Sequence, residues 1–148
     1  MIIEKAMAAD VPALSDLLSV LFSEESEFAQ NEAAQQKGLA RIINNSEIGA
    51  VLVARDGDQV VGMVSILFTV STALGEKVAL LEDMVVSPTV RGTGVGTKLL
   101  VEAISLARTE GCKRVTLLTD RSNEAAQRFY AKQGFVVSSI VPMRLLLA

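Results

Sequence analysis

The N-terminal part of the chain is dominated by apolar residues spaced three or four positions apart, which is the spacing of one face of an α-helix. A short apolar run over residues 1–6 first predicts a strand. Asp10 and Pro12 then suit the N-cap and the first turn of a helix. The residues that would form the buried face of this helix are Leu14, Leu17, Leu18, Leu21 and Phe22. A second helix is predicted over residues 32–44, with its buried side formed by Leu39, Ile42 and Ile43.

In the middle of the chain the pattern changes to β-rich runs separated by short turns. Residues 50–55 and 59–70 flank the turn at 56–58, whose sequence Asp-Gly-Asp is a strong hairpin signal. Gly62 indicates a bulge or the close approach of another backbone. Residues 78–86 predict a further strand. Strict alternation along that strand would place on one face Leu80, Glu82, Met84 and Val86.

The second half of the chain alternates helices with strands. Gly111 and Gly134 suit the C-terminal ends of two helices. The elements predicted there are a helix from the glycine-rich residues 91–96 to Gly111, a strand over 114–119, a helix over 123–133 and closing strands over 135–141 and 143–147. An antiparallel hairpin followed by such alternation predicts a mixed α/β sheet in a single domain over residues 1–148.

Composition narrows the chemistry that this domain can perform. The 148 residues are 50% hydrophobic and carry a net charge of −3, which excludes a mainly disordered chain and argues against a nucleic-acid binder. With no histidine and with Cys112 as the single cysteine, the chain has neither a Ser-His-Asp triad nor an internal disulfide, and we expect no metal site. No apolar run reaches the ~20 residues that span a bilayer, and no signal-like N-terminus is present. We therefore expect a cytoplasmic protein that does not bind membranes.

Three glycines at alternate positions, Gly92, Gly94 and Gly96, follow Arg91 where a helix should begin. Backbone N–H groups at such a helix start, together with the helix dipole and an arginine, suit a phosphate or pyrophosphate. Glycines can equally serve a tight turn and close helix packing. A P-loop requires Lys-Ser/Thr after the last glycine and is not present, and a dinucleotide fingerprint would need glycine where Thr97 stands.

Two segments resemble one known family. The run from Val85 to Gly96, including Ser87-Pro88 and the Arg-x-x-Gly-x-Gly motif, resembles the acetyl-CoA signature of the GNAT superfamily of N-acyltransferases. Residues 123–135 resemble its Asn-x-x-Ala-x-x-Phe-Tyr-x-x-x-Gly-Phe block. The resemblance covers most of the chain from Ala50 onward. It implies a mostly antiparallel sheet of about seven strands, with strands 4 and 5 splayed around the cofactor, and about four flanking helices.

The same resemblance implies the site and its chemistry. Glu82, as first candidate, or Asp83 would be the base that takes a proton from the acceptor amine, since a free amine has a pKa of ~10. The alternative is a capped or solvent-facing acid. The backbone N–H of Val85 would stabilise the oxyanion. Tyr130 would protonate the departing thiolate, although it also suits a core position beside Phe129 and Phe135. The positions implied to bind acetyl-CoA are Met84, Val85, Val86, Arg91, Gly92, Thr93, Gly94, Val95, Gly96, Thr97, Asn123, Ala126, Phe129 and Tyr130.

These features predict an enzyme that moves an acetyl group from acetyl-CoA to a primary amine by direct transfer. The alternatives are a non-catalytic acyl-CoA sensor on the same fold and a nucleotide-binding domain of another class. The acidic residues Glu24, Glu25 and Glu27 either face solvent or receive a cationic amine. A small-molecule amine is the expected acceptor. The apolar residues 143–147 suit either an internal strand or pairing in a homodimer.

Overall fold

The computed structural model describes residues 1–24 and 30–148, and up to residue 133 its strands and helices follow one another in the predicted order. Glu25, Glu27 and Phe28, which the sequence placed in the acidic run, lie outside the described residues. The strands are β1 Ile2–Lys5, β2 Gly49–Asp56, β3 Gln59–Ser71, β4 Glu76–Val86 and β5 Val115–Leu117. The helices are α1 Val11–Ser23, α2 Glu32–Ile43, α3 Val95–Thr109 and α4 Glu124–Ala131, with 3₁₀ turns at Ala8–Asp10 and Pro88–Val90.

The sheet has the strand order β1-β2-β3-β4-β5. The first four strands pair antiparallel with their neighbours, and β5 runs parallel to β4. The parallel pairing joins residues 79–81 to residues 115–117, where β5 ends, so it does not extend to Met84 and Val86. This limited pairing is compatible with the splayed strands 4 and 5 that the family resemblance implies.

Helices cover both faces of the sheet. On one face α1 and α2 pack through Leu14, Leu18 and Leu39 against Met63 and Val85. On the other face α3 packs against β3 and β4, where Ala107 lies in one apolar cluster with Ile66 and Ala79. The apolar spacing of α1 and α2 therefore identified their buried faces correctly.

Gly62 of β3 lies where α3 approaches the sheet most closely. A Cβ atom there would come within 2.9 Å of Leu99 Cδ1 and 3.3 Å of Val95 Cγ1. The sequence predicted a bulge or the approach of another backbone. The nearest atoms belong instead to helix side chains, and the register between β2 and β3 shifts at Ala54/Arg55, beside the pair of Ala54 with Gly62. The contact with these helix side chains fixes the first turn of α3, and with it the glycine-rich loop, against the sheet.

Asp10 precedes α1 as predicted, but its carboxylate does not cap the helix. Its two oxygens accept hydrogen bonds from Arg55 Nη1 at 2.8 Å and Nη2 at 2.7 Å, and one also accepts from the Met7 N–H at 2.7 Å. Arg55 Nε donates to Glu4 at 2.7 Å. Hydrogen bonding from Arg55 holds the pKa of Asp10 below its usual 3.8 despite partial burial. The side chain of Asp10 thus forms an ion pair with Arg55 instead of capping α1, and this ion pair connects the start of α1 to β2.

Within the described residues the chain forms two compact units, residues 1–118 and residues 119–148. The first contains the sheet with α1, α2 and α3, and the second contains α4. None of the described helices combines the length and apolar character needed to cross a bilayer.

The two closing strands predicted over 135–141 and 143–147 are absent, which leaves five strands in the described residues rather than about seven. Their β-branched and apolar residues have the right propensity, but a strand forms only where its N–H and C=O groups meet a ladder partner. No pairing involves residues 135–148. The large apolar side chains exposed there are Val136, Val137, Ile140, Val141, Met143, Leu145, Leu146 and Leu147.

Candidate functional site

The glycine-rich loop takes a backbone conformation that requires glycine at two positions. Gly92 has φ +81° and Gly94 has φ +89°, both in the left-handed region that other residues adopt at a cost. A Cβ atom at either position would meet nothing within 4 Å. The requirement is therefore one of backbone conformation, not of close packing.

The loop ends at the start of α3, where backbone N–H groups are available to a ligand. Gly94 is the N-cap, and no side chain caps the helix. The first N–H bonded to a carbonyl is that of Lys98, which donates to Gly94 at 3.1 Å. Among the described residues the N–H groups of Val95, Gly96 and Thr97 have no acceptor, as expected for an uncapped helix start. These groups can bind an anion.

Arg91 is held beside this helix start by two contacts. Its Nε donates to the Val86 carbonyl at 3.3 Å, and its Nη2 forms an ion pair with Glu24 Oε1 at 2.9 Å. The first contact joins the glycine-rich loop to the end of β4. The second joins it to the C-cap residue of α1.

Strand β4 contains a bulge at the predicted catalytic residues. In the ladder with β3, Ser65 pairs with Glu82 and Met63 pairs with Val85, so one residue of β3 is spanned by two of β4. Within the bulge Asp83 has φ +54°, the left-handed conformation that is uncommon for residues other than glycine.

The bulge makes the expected strict alternation along β4 wrong. Directly opposed residues of an antiparallel ladder face the same side, so Glu82 lies on the face of Val85 rather than on that of Met84 and Val86. Val85 packs into the core beneath α1 and α2, and Glu82 therefore lies on the same face as these helices. Its side chain is exposed, whereas Asp83 and Met84 are half-buried.

Ser65, opposite Glu82, was not identified from the sequence. It is completely buried, and its Oγ has no hydrogen-bond partner among the described residues. A serine inside an apolar strand gives no signal by itself, and its pairing with Glu82 depends on the register. Glu24 was noticed only as part of an acidic run, because its contact with Arg91 spans 67 positions of the chain.

In the second unit, α4 carries the remaining predicted residues. Asn123 caps this helix, because its Oδ1 accepts from the Ala126 N–H at 3.0 Å. The Tyr130 ring contacts Phe129 and Phe135 edge-to-face, with centroids 5.1 and 5.9 Å away. Burial raises the pKa of Tyr130 to about 12. These contacts are the ones that a packing role predicts, and they leave its hydroxyl protonated at neutral pH.

The first unit thus brings together Glu82–Val86 and Arg91–Thr97, and the second brings Asn123, Ala126, Phe129 and Tyr130 onto one short helix. A cavity of about 390 Å³ lies elsewhere in the first unit and is lined by none of the predicted site residues. The described residues contain no cluster of three or more carboxylate or thiol side chains suited to a metal ion.

Comparisons with known proteins agree with this geometry. The model of the Acetyltransferase (GNAT) family matches residues 12–135. An uncharacterized N-acetyltransferase of Bacillus subtilis (strain 168), YhfO, is 26% identical over 133 residues, which cover 90% of this chain and 88% of its own. The aminoalkylphosphonate N-acetyltransferase of Salmonella typhimurium (strain LT2) is 27% identical over 130 residues, 88% of this chain and 81% of its own. A solved structure from Agrobacterium tumefaciens str. C58 is 26% identical, with a TM-score of 0.83 over 98% of this chain and 100% of its own.

Proposed function

Since the chain belongs to the acetyltransferase (GNAT) family, we propose that it moves an acetyl group from acetyl-CoA directly to a primary amine of a small molecule. The backbone at the start of α3 is the observation that supports acetyl-CoA as the donor in this proposal. There the N–H groups of Val95, Gly96 and Thr97 lack acceptors, in the segment that also holds Arg91. A pyrophosphate accepts several hydrogen bonds and carries negative charge, which fits both features.

The acyl end would bind along β4, just before the loop. Met84 and Val86 lie beyond the pairing of β4 with β5, which joins residues 79–81 to residues 115–117, so their backbone groups that point that way are available to the pantetheine amides. We assign this contact to Met84 and Val86. The backbone N–H of Val85 would donate to the thioester oxygen as negative charge develops on it.

Proton transfer would involve one acid and one base. Glu82 or Asp83 removes a proton from the attacking ammonium group, directly or through water, because an amine with a pKa of ~10 is mostly protonated at neutral pH. As the new C–N bond forms and the C–S bond breaks, Tyr130 donates its phenolic proton to the thiolate of CoA. Asn123, Ala126 and Phe129 would contact the pantetheine arm.

The activity of one relative supports the proposed class of acceptor. The Salmonella typhimurium protein acetylates aminoalkylphosphonates, which are small primary amines. We therefore propose a small amine rather than a protein or nucleic acid as the acceptor of this chain, and a cytoplasmic location in which acetyl-CoA is available.

The test begins with ligand binding. Thermal unfolding of the purified protein is followed with acetyl-CoA, CoA, ATP and NAD in parallel, because a ligand at 100 times its Kd stabilises a protein by about 2.7 kcal/mol. We expect a selective rise in Tm with acetyl-CoA and CoA. A larger rise with ATP or NAD, or no rise with acetyl-CoA or CoA, would contradict the proposal.

Transfer is then measured as release of CoA thiol with a panel of amines that includes aminoalkylphosphonates, amino sugar phosphates and polyamines. Product formation with a member of the panel supports the enzyme. Tight CoA binding without product from any amine would instead support an acyl-CoA sensor.

A further inference from the structure

The ion pair between Arg91 and Glu24 lies at the proposed pyrophosphate site. Nη2 of Arg91 is 2.9 Å from Glu24 Oε1, and both side chains are about half exposed, at 47% and 51%. Nε of the same guanidinium is engaged by the Val86 carbonyl. Glu24 therefore occupies one of the hydrogen-bonding positions that a bidentate phosphate contact would need.

A carboxylate and a phosphate are alternative partners for the same guanidinium. Both are anionic acceptors, so a phosphate bound at Nη2 would displace Glu24 or lie beside its negative charge. In the protein without ligand, Glu24 thus occupies Nη2 of Arg91 and places a negative charge beside it. An incoming phosphate meets the backbone N–H groups of α3 and an arginine that already has a carboxylate partner.

From this geometry we infer that Glu24 is a built-in competitor of the CoA pyrophosphate for Arg91, and that acetyl-CoA binds by exchanging one ion pair for another. The inference rests on the proposed function. An exposed ion pair is weak, so a ligand that also binds the N–H groups of α3 outcompetes it. Glu24 then sets the acetyl-CoA concentration at which the site fills, without taking part in the transfer.

The experiment measures the Kd of CoA by calorimetry at low salt for wild type, Glu24→Gln, Arg91→Ala and the double variant. Glu24→Gln should tighten CoA binding about two- to fivefold, the range that one exposed ion pair contributes. The gain should disappear in the Arg91→Ala background and shrink at high salt. Acetyl-pantetheine, which lacks the pyrophosphate, should bind wild type and Glu24→Gln equally well.

Glu102→Gln is the matched control, because this exposed glutamate of α3 has the same charge and forms no ion pair among the described residues. It should leave the Kd nearly unchanged. In turnover assays Glu24→Gln should lower the KM for acetyl-CoA and leave kcat as it is.

Unchanged or weaker CoA binding by Glu24→Gln would overturn the inference, as would a gain that persists without Arg91. In either case the proposed function would stand, since CoA still binds. Failure of the wild type to bind CoA at all would instead remove the proposed function, and the competition with it.

Discussion

Ser65 and Glu82 lie directly opposite each other in the ladder between β3 and β4, one completely buried and the other exposed. The hydroxyl of Ser65 has no partner among the described residues, and burying such a group without a hydrogen bond costs about 1–3 kcal/mol. The sheet thus carries, opposite the predicted base, a buried hydroxyl with no hydrogen-bond partner in the described part of the chain.

Replacing Ser65 by alanine should not destabilise the protein. Because the hydroxyl makes no hydrogen bond, we expect the free energy of unfolding to stay the same or rise by up to about 1 kcal/mol in urea titrations. Ser15→Ala is the control, because the equally buried Ser15 Oγ accepts a hydrogen bond from Gln35 at 3.1 Å. That variant should lose about 1 kcal/mol. A comparable loss for Ser65→Ala would mean that Ser65 has a partner after all.

Gly94 and Gly38 should respond oppositely to alanine. At Gly94 the φ of +89° is unfavourable for a residue with a Cβ, so Gly94→Ala should lower the free energy of unfolding by about 1–2 kcal/mol and weaken CoA binding. Gly38 lies inside α2 with open space around it, so Gly38→Ala should raise stability by about 0.5–1 kcal/mol. Urea unfolding measures both changes. Equal effects of the two substitutions would contradict a special backbone conformation at Gly94.

The ion pair of Asp10 with Arg55 should make stability depend on acidity. The folded-state pKa of Asp10 is lowered, so its contribution is present above the ordinary pKa of 3.8 and is lost as the pH falls through the folded-state value. Asp10→Asn should therefore lower the free energy of unfolding by about 1–3 kcal/mol at neutral pH. In strong acid the stability of this variant should approach that of the wild type. Urea unfolding across this pH range measures the difference. Glu4→Gln removes the more exposed partner of Arg55 and should lower the free energy of unfolding by less. Equal decreases for the two variants would contradict the larger contribution assigned to Asp10.

Tyr130 can be titrated without interference, because it is the only tyrosine and the chain has no tryptophan. Ultraviolet absorbance of the tyrosinate should rise around pH 12 in the folded protein and around pH 10 in urea. Since the folded state holds this proton more tightly, stability should fall as the pH rises from 10 to 12. Tyr130→Phe should remove that part of the decrease. Titration near pH 10 in the native protein would show that the hydroxyl is solvated.

Tyr130→Phe should also separate catalysis from binding. The ring contacts with Phe129 and Phe135 are retained, so the fold and the Kd of acetyl-CoA should change little. Loss of a general acid should lower kcat about 100-fold or more, measured with the amine that the thiol-release screen identifies. Phe135→Leu, which removes a ring contact but no hydroxyl, should reduce kcat far less. Equal turnover of Tyr130→Phe and wild type would remove Tyr130 from the mechanism.

Sequence patterns predicted the elements whose stability depends on local spacing. The apolar face of α1, the hairpin of β2 and β3, and the helix starts at Gly94 and Asn123 all follow from residues close together in the chain. The assignment of catalytic roles to Glu82, Asp83, Val85 and Tyr130 stays a prediction, as does the description of the chain as one domain.

The features that the sequence patterns did not predict depend on contacts between residues far apart in the chain. The ion pair of Arg91 with Glu24 and the pairing of Ser65 with Glu82 require the tertiary fold and the strand register. The strands expected over 135–147 were predicted from local β propensity alone. They are absent because that propensity does not form a strand without a ladder partner.

The bulge in β4 makes the number of residues between Glu82 and Val85 as important as their identities. Deleting either residue between them would restore one-to-one pairing with β3 and would leave Glu82 and Val85 on the same face of the sheet. What such a deletion would remove is the bulge itself, and with it the left-handed backbone conformation of Asp83. A relative with a one-residue gap between these positions should therefore keep the packing of Val85 and present a different backbone beside the predicted base.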